Sequence, residues 1–203
     1  MGVDETYWSS VRETRLAVAD LLDDLTPDEW ARPSLCADWR VRDVAAHVSL
    51  VPTLRSVEMV RAAPRAGFNP HRINTAIARR YAAAPPEAIV SRIRAHAADR
   101  TSAAVLKTAD SLFDVIVHSQ DIALPLGRTL DVPPEASRRG LDRVWEMGWP
   151  FRARRRFAGH TLRATDTDWS VGAGPEINGP ALALLLLLTG RDAAARPALT
   201  GFA

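Results

Sequence analysis

Proline punctuates much of this chain, at 27, 33, 52, 86, 125, 134 and 180, and the segments between carry apolar residues at helical spacing, which points to a mainly helical fold. Proline fits the first turn of a helix but not its interior, where it removes a backbone hydrogen bond and clashes with the preceding turn. From Asp4 to Leu25, the apolar positions Trp8, Val11, Val18, Leu21, Leu22 and Leu25 follow the helical repeat with charge between them. Thr26-Pro27-Asp28-Glu29 then reads as a capping box, with Thr26 as cap and Glu29 reaching back, so a short helix is expected before Pro33. Asp38 is placed to cap a long helix from about residue 39 towards 61, kinked at Pro52. Residues 63–70 form a loop by their Pro and Gly content. Further helices are expected over 71–84, from Pro86 to about 103, over 110–124, and from Pro134 to 149.

Beyond residue 150 the pattern changes. Residues 157–165 and 169–173 are strand-like and are separated by the turn-rich Thr165-Asp166-Thr167-Asp168, which predicts a hairpin. Gly179-Pro180 then opens a leucine-rich helix that Gly190 ends. Its apolar run is much shorter than the roughly 20 residues needed to span a bilayer, so it reads as a buried helix and no membrane partner is expected. Long helices followed by a hairpin and one helix imply an antiparallel bundle over 1–150 and a small α+β appendix over 151–203.

Composition narrows the function. A formal charge of +2 is too small to argue for nucleic acid. Cys36 is the only cysteine, which excludes an intramolecular disulfide and a thiol-rich zinc site and makes a cytoplasmic compartment the expectation. Residues 1–6 are polar and acidic, so no secretory signal is expected.

The chemistry lies in three residues on helix-like segments. His47 lies in Val44-Ala45-Ala46-His47-Val48, and Asp114 and His118 lie in Asp114-Val115-Ile116-Val117-His118. Two imidazoles and a carboxylate are the ligand set of an open divalent-metal site. Asp114 and His118 are four apart, so on a helix they leave one face about 5–6 Å apart at Cβ. An ordinary i,i+4 hydrogen bond explains an isolated pair of this kind equally well, and a lone histidine among small apolar residues is commonly a core residue. Placement favours the metal, because polarity interrupting an apolar helix must be compensated. Asp43, four residues before His47, and Asp121, three after His118, are the candidates to orient the two imidazoles. His71, His96 and His160 have no partner at ligand spacing.

Trp39-Arg40-Val41-Arg42-Asp43-Val44-Ala45-Ala46-His47 resembles the Trp-x-Val-Arg-Asp-x-x-x-His helix of the mycothiol-dependent maleylpyruvate isomerase family, within the DinB/YfiT-like superfamily. Asp114-x-x-x-His118-x-x-Asp121 resembles its second ligand element, usually Glu-x-x-x-His-x-x-Asp. The stretch from Ala164 to Gly172, with Gly179-Pro180 and Leu188-Thr189-Gly190-Arg191, is similar to its C-terminal region. The resemblance implies a DinB/YfiT-like antiparallel four-helix bundle. It also implies one divalent metal on His47, Asp114 and His118, zinc first, with nickel or another ion as alternatives. Two departures stand out: Asp114 replaces the commoner glutamate and must approach by a helix shift or bind through water, and Arg40 replaces a small hydroxyl residue, leaving capping to Asp38.

The function so implied is a metal-dependent isomerase or S-transferase using mycothiol on a small electrophilic substrate. Arg191 is the candidate for gripping a carboxylate of substrate or thiol adduct; Arg163 competes, and a helix-capping arginine is the plainer reading of Arg191. Cys36 is expected to be structural, and Trp39 to be core packing or a pocket wall. The alternatives are a metal hydrolase that needs no thiol, and a non-enzymatic binding or regulatory module using the cationic run 152–156, which otherwise reads as a solvated linker. A homodimer is compatible with either.

Overall fold

The computed structural model describes residues 4–100 and 108–202. They form a mainly helical protein with a small three-stranded sheet near the C-terminus. The chain divides into two compact units, Met1–Ser111 with His118–Leu130, and Leu112–Val117 with Asp131–Ala203. No helix among the described residues is long and apolar enough to cross a membrane.

In the first unit, α1 (Glu5–Asp23) starts at Asp4, whose carboxylate accepts the Tyr7 backbone N–H at 2.8 Å. Of the apolar positions expected on its buried face, Val11, Val18 and Leu22 are buried, while Trp8 and Leu21 are half-buried and Tyr7 is buried in place of Trp8. The capping box of α2 (Pro27–Ala31) is complete: the Glu29 N–H donates to Thr26 Oγ1 at 3.3 Å and the Thr26 N–H to Glu29 Oε2 at 2.8 Å. Then come α3 (Val41–Leu50), α4 (Ser56–Ala62), α5 (Pro70–Tyr81), α6 (Pro86–Ala95) and α7 (Ser111–Ala123), the last shared by both units. Helix α1 packs on α6, and α3 on α5 and α6. Buried Arg15 of α1 donates from one guanidinium nitrogen to the carbonyls of His96, Ala97 and Asp99, at 3.3, 3.1 and 2.9 Å, just past the end of α6. Those carbonyls belong to the turn that follows the helix, so the guanidinium fastens that turn to α1.

The single helix expected from 39 to 61 is two. Both Thr53 and Leu54 donate their N–H to the Leu50 carbonyl at 2.8 Å, closing α3 in a turn around Pro52 before α4 begins. Proline's missing donor thus ends the helix outright instead of kinking it. Its start also moves. Asp38 takes a left-handed φ of 64°, unlike the extended backbone of a helix cap, and Arg40 occupies the cap position. Helix α6 stops at Ala95, well short of 103, and residues 101–103 of that expectation lie outside the described ones.

In the second unit, α8 (Pro134–Glu146) and α9 (Ala153–Arg156) precede β1 (Thr161–Ala164), β2 (Ser170–Gly172), β3 (Glu176–Gly179), α10 (Ala181–Leu188) and α11 (Asp192–Ala195). The expected hairpin is β1 against β2, antiparallel, with Leu162 opposite Val171. A third strand, β3, lies parallel on the other side of β1, with Leu162 opposite Ile177. Four residues ending in glycine carry too little alternation to announce it. Helix α10 buries Leu184 to Leu188 and packs on α8. The approach depends on Gly140, where a Cβ would lie 2.9 Å from Leu185 Cδ2 and 3.3 Å from Phe113 Cβ. The arginines of the cationic run are exposed, as expected, but the run is not a plain linker: residues 153–156 form α9, and Arg156 donates to the carbonyls of Leu188 and Leu187 at 3.0 and 3.3 Å, capping the end of α10.

Candidate metal centre

Helix α3 buries nearly all its residues and carries His47 in its last turn, 8% exposed. Helix α7 is largely apolar up to Val117, interrupted there by Asp114, and then carries His118, Ser119, Gln120 and Asp121. The two helices bring His47, Asp114 and His118 together so that one ligand atom of each lies within 4.8 Å of the others. The imidazoles of His47 and His118 meet edge to face, with ring centroids 4.7 Å apart and 74° between planes.

The donor set fits a divalent cation. Tetrahedral zinc with ligands at 2.0–2.1 Å separates its donors by about 3.4 Å, somewhat closer than the limit these three meet. Imidazole with carboxylate suits zinc, nickel and other first-row ions alike. The shorter Asp114 falls inside the same cluster.

Neighbouring side chains hold the imidazoles. Asp121, with no solvent exposure, places Oδ2 2.9 Å from Nδ1 of His118, so that Nε2 is the nitrogen that would face a cation. The Asp121 carbonyl also accepts the Leu35 N–H at 3.2 Å, tying the segment before α3 to α7. That segment delivers Trp39, 6% exposed, whose ring lies 6.3 Å from the His118 imidazole at 13° and 5.5 Å from that of His47 at 63°. The indole N–H donates to Thr75 Oγ1 of α5 at 3.1 Å. Trp39 is thus both core residue and wall of the histidine pair. Thr75 had no signal in the sequence, because nothing local links α5 to residue 39.

Asp43 is not brought to His47. Its carboxylate accepts the Arg40 backbone N–H at 2.9 Å and the Arg40 side chain at 3.1 and 3.2 Å. An arginine side chain has no acceptor to cap a helix with, so the third residue of α3 satisfies the cap N–H instead, which is the work expected of Asp38. This contact also raises the Arg40 pKa above its ordinary value.

Arg191 precedes α11 and donates from NH1 to the Thr189 carbonyl at 2.8 Å, while Arg163 is exposed on β1 and pairs with Glu176 at 3.0 Å. His96 does have a carboxylate partner, with Nδ1 2.7 Å from Asp99 Oδ2. His71 begins α5, and His160 is half-buried just before β1.

Comparison with known proteins agrees with this architecture. The sequence profile of the mycothiol maleylpyruvate isomerase N-terminal domain matches residues 11–111. Two solved structures share the fold: a mycothiol-dependent maleylpyruvate isomerase at 15% identity and TM-score 0.65, and a histidine-to-alanine mutant of a mycothiol-dependent maleylpyruvate isomerase at 14% and 0.64. Each alignment covers 98% of this chain and 94% of the other. No curated protein sequence matches. Through residues 11–111, the chain belongs to the mycothiol maleylpyruvate isomerase N-terminal domain family.

Proposed function

We propose that this protein is a thiol-dependent isomerase whose divalent-metal site is His47, Asp114 and His118, with mycothiol as the thiol. The observation that carries the reading is the convergence of two imidazoles and a carboxylate from α3 and α7, in a chain whose family is named for this chemistry. A divalent cation in such a site lowers the pKa of a thiol placed in its open position, so that thiolate forms near neutrality.

The protein's own groups orient and enclose. Asp121 holds the His118 ring and its tautomer, and Trp39 shields both imidazoles from water on one side. The substrate class is a small cis-alkene conjugated to a carbonyl. Thiolate sulfur bonds to one alkene carbon, the resulting single bond rotates, and elimination breaks the C–S bond to return the trans-alkene and the thiolate. We assign recognition of a substrate carboxylate to Arg191 on the similarity of its surroundings to the family's C-terminal region.

The test is metal analysis of the purified protein beside His47→Ala and His118→Ala, followed by isomerisation of maleylpyruvate with and without mycothiol. One divalent ion per chain in the parent, its loss from both variants, and turnover only with the thiol are the expected results. Full occupancy in the variants overturns the site, isomerisation without thiol overturns the thiol dependence, and a hydrolysed product formed without thiol would make the protein a metal hydrolase instead.

A further inference from the structure

A second cleft lies between α4 and α5, well defined by residues of the first unit alone. It encloses about 460 Å³, a volume suited to a small molecule. Ile77, buried, and Ala62 supply apolar surface, and Tyr81 forms a wall. Its charge is one-sided. Arg61, Arg65 and Arg80 line it, and among the described residues none of the three has a carboxylate within ion-pair distance. The single acid, Glu58, is occupied by the Tyr81 hydroxyl, which donates to it. The faces of the Tyr81 ring are held by the guanidinium carbons of Arg80 and Arg92, at 5.8 and 5.3 Å from its centroid.

Three guanidiniums around one small apolar-floored cleft raise the local positive potential and present forked donors that match carboxylates two at a time. Carboxylates engage Arg94, Arg100 and Arg128 elsewhere in this unit, whereas the three guanidiniums of the cleft have no such partner among the described residues. Arg80 is five residues from Thr75, roughly 140° around the helix, so the cleft lies on a different face of α5 from the one that anchors Trp39.

We propose that the α4–α5 cleft is a binding site for a small organic polycarboxylate with an apolar body, separate from the metal centre and independent of the function proposed above. Calorimetric titration of the full chain with benzene-1,3,5-tricarboxylate at low ionic strength tests it. One saturable site per chain is expected, weakened about tenfold in each of Arg61→Gln and Arg80→Gln, unchanged in His118→Ala, and absent for the uncharged trimethyl ester. These arginines are exposed, so circular dichroism of the variants should match the parent. The proposal is overturned by absence of saturation, by equal affinity in the arginine variants, or by loss of binding in His118→Ala, which would move the ligand to the metal centre. Saturation by an oligoglutamate peptide without tricarboxylate binding would also overturn it, in favour of a protein partner.

Discussion

His118 Nδ1 lies 2.9 Å from Oδ2 of Asp121, a carboxylate with no solvent exposure three residues further along α7. The contact engages Nδ1 and would keep the imidazole a strong donor through its other nitrogen. Asp121→Asn keeps the shape and removes the charge. Metal affinity, read by competition with a chelator, should fall by about 10- to 100-fold while the apo fold is retained. An unchanged affinity would show that the carboxylate does not tune this histidine.

The Trp39–Thr75 hydrogen bond should be detectable as a coupling. Thr75→Val leaves a buried indole N–H without its acceptor and should cost about 1–3 kcal/mol in urea unfolding. In Trp39→Phe that donor is gone, so adding Thr75→Val should cost markedly less than it does in the parent. Strict additivity of the two substitutions would mean that the bond contributes nothing.

Arg15 joins α1 to the end of α6 through three carbonyls. Arg15→Met preserves the aliphatic stem and deletes the donors, so the predicted loss is about 2 kcal/mol, measured as a lowered urea midpoint. A loss below about 0.5 kcal/mol, typical of surface changes, would assign the residue's value to packing alone.

Glu29 gives a pH signature. Its bond from the Thr26 backbone, with the Arg128 guanidinium next, lowers its pKa from 4.5 to about 2. A carboxylate depressed in the folded state contributes stability that is fully present above its unfolded pKa and disappears as pH falls through the folded value. Glu29→Gln should therefore be less stable than the parent at pH 7, with a gap that narrows below pH 4.5 and closes near pH 2. Unfolding midpoints at pH 7, 4 and 2.5 would reveal it; a gap independent of pH would trace the effect to the uncharged half of the capping box.

Features confined to one helical turn were legible in the sequence. The Thr26–Glu29 box, the Pro27, Pro86 and Pro134 helix starts, and the one-turn spacing of Asp114, His118 and Asp121 all follow from backbone geometry and proline's missing donor. Features that depend on competition between partners were less so. Asp43 is close enough in sequence to face either Arg40 or His47, and the uncapped start of α3 captured it. Pro52 could have kinked a helix or ended one, and the turn around Leu50 settled which.

By itself, the sequence determined a proline-bounded helical chain and put two metal-type donors on one face of α7, because helical periodicity needs no distant partner. Only tertiary packing placed His47 of α3 against His118, stacked Trp39 on that pair and anchored it to Thr75, and added β3 to β1. Each of those pairings joins segments far apart in the chain. Their geometry follows from which buried faces and unmet hydrogen bonds find one another on folding, and no local pattern of residues encodes that choice.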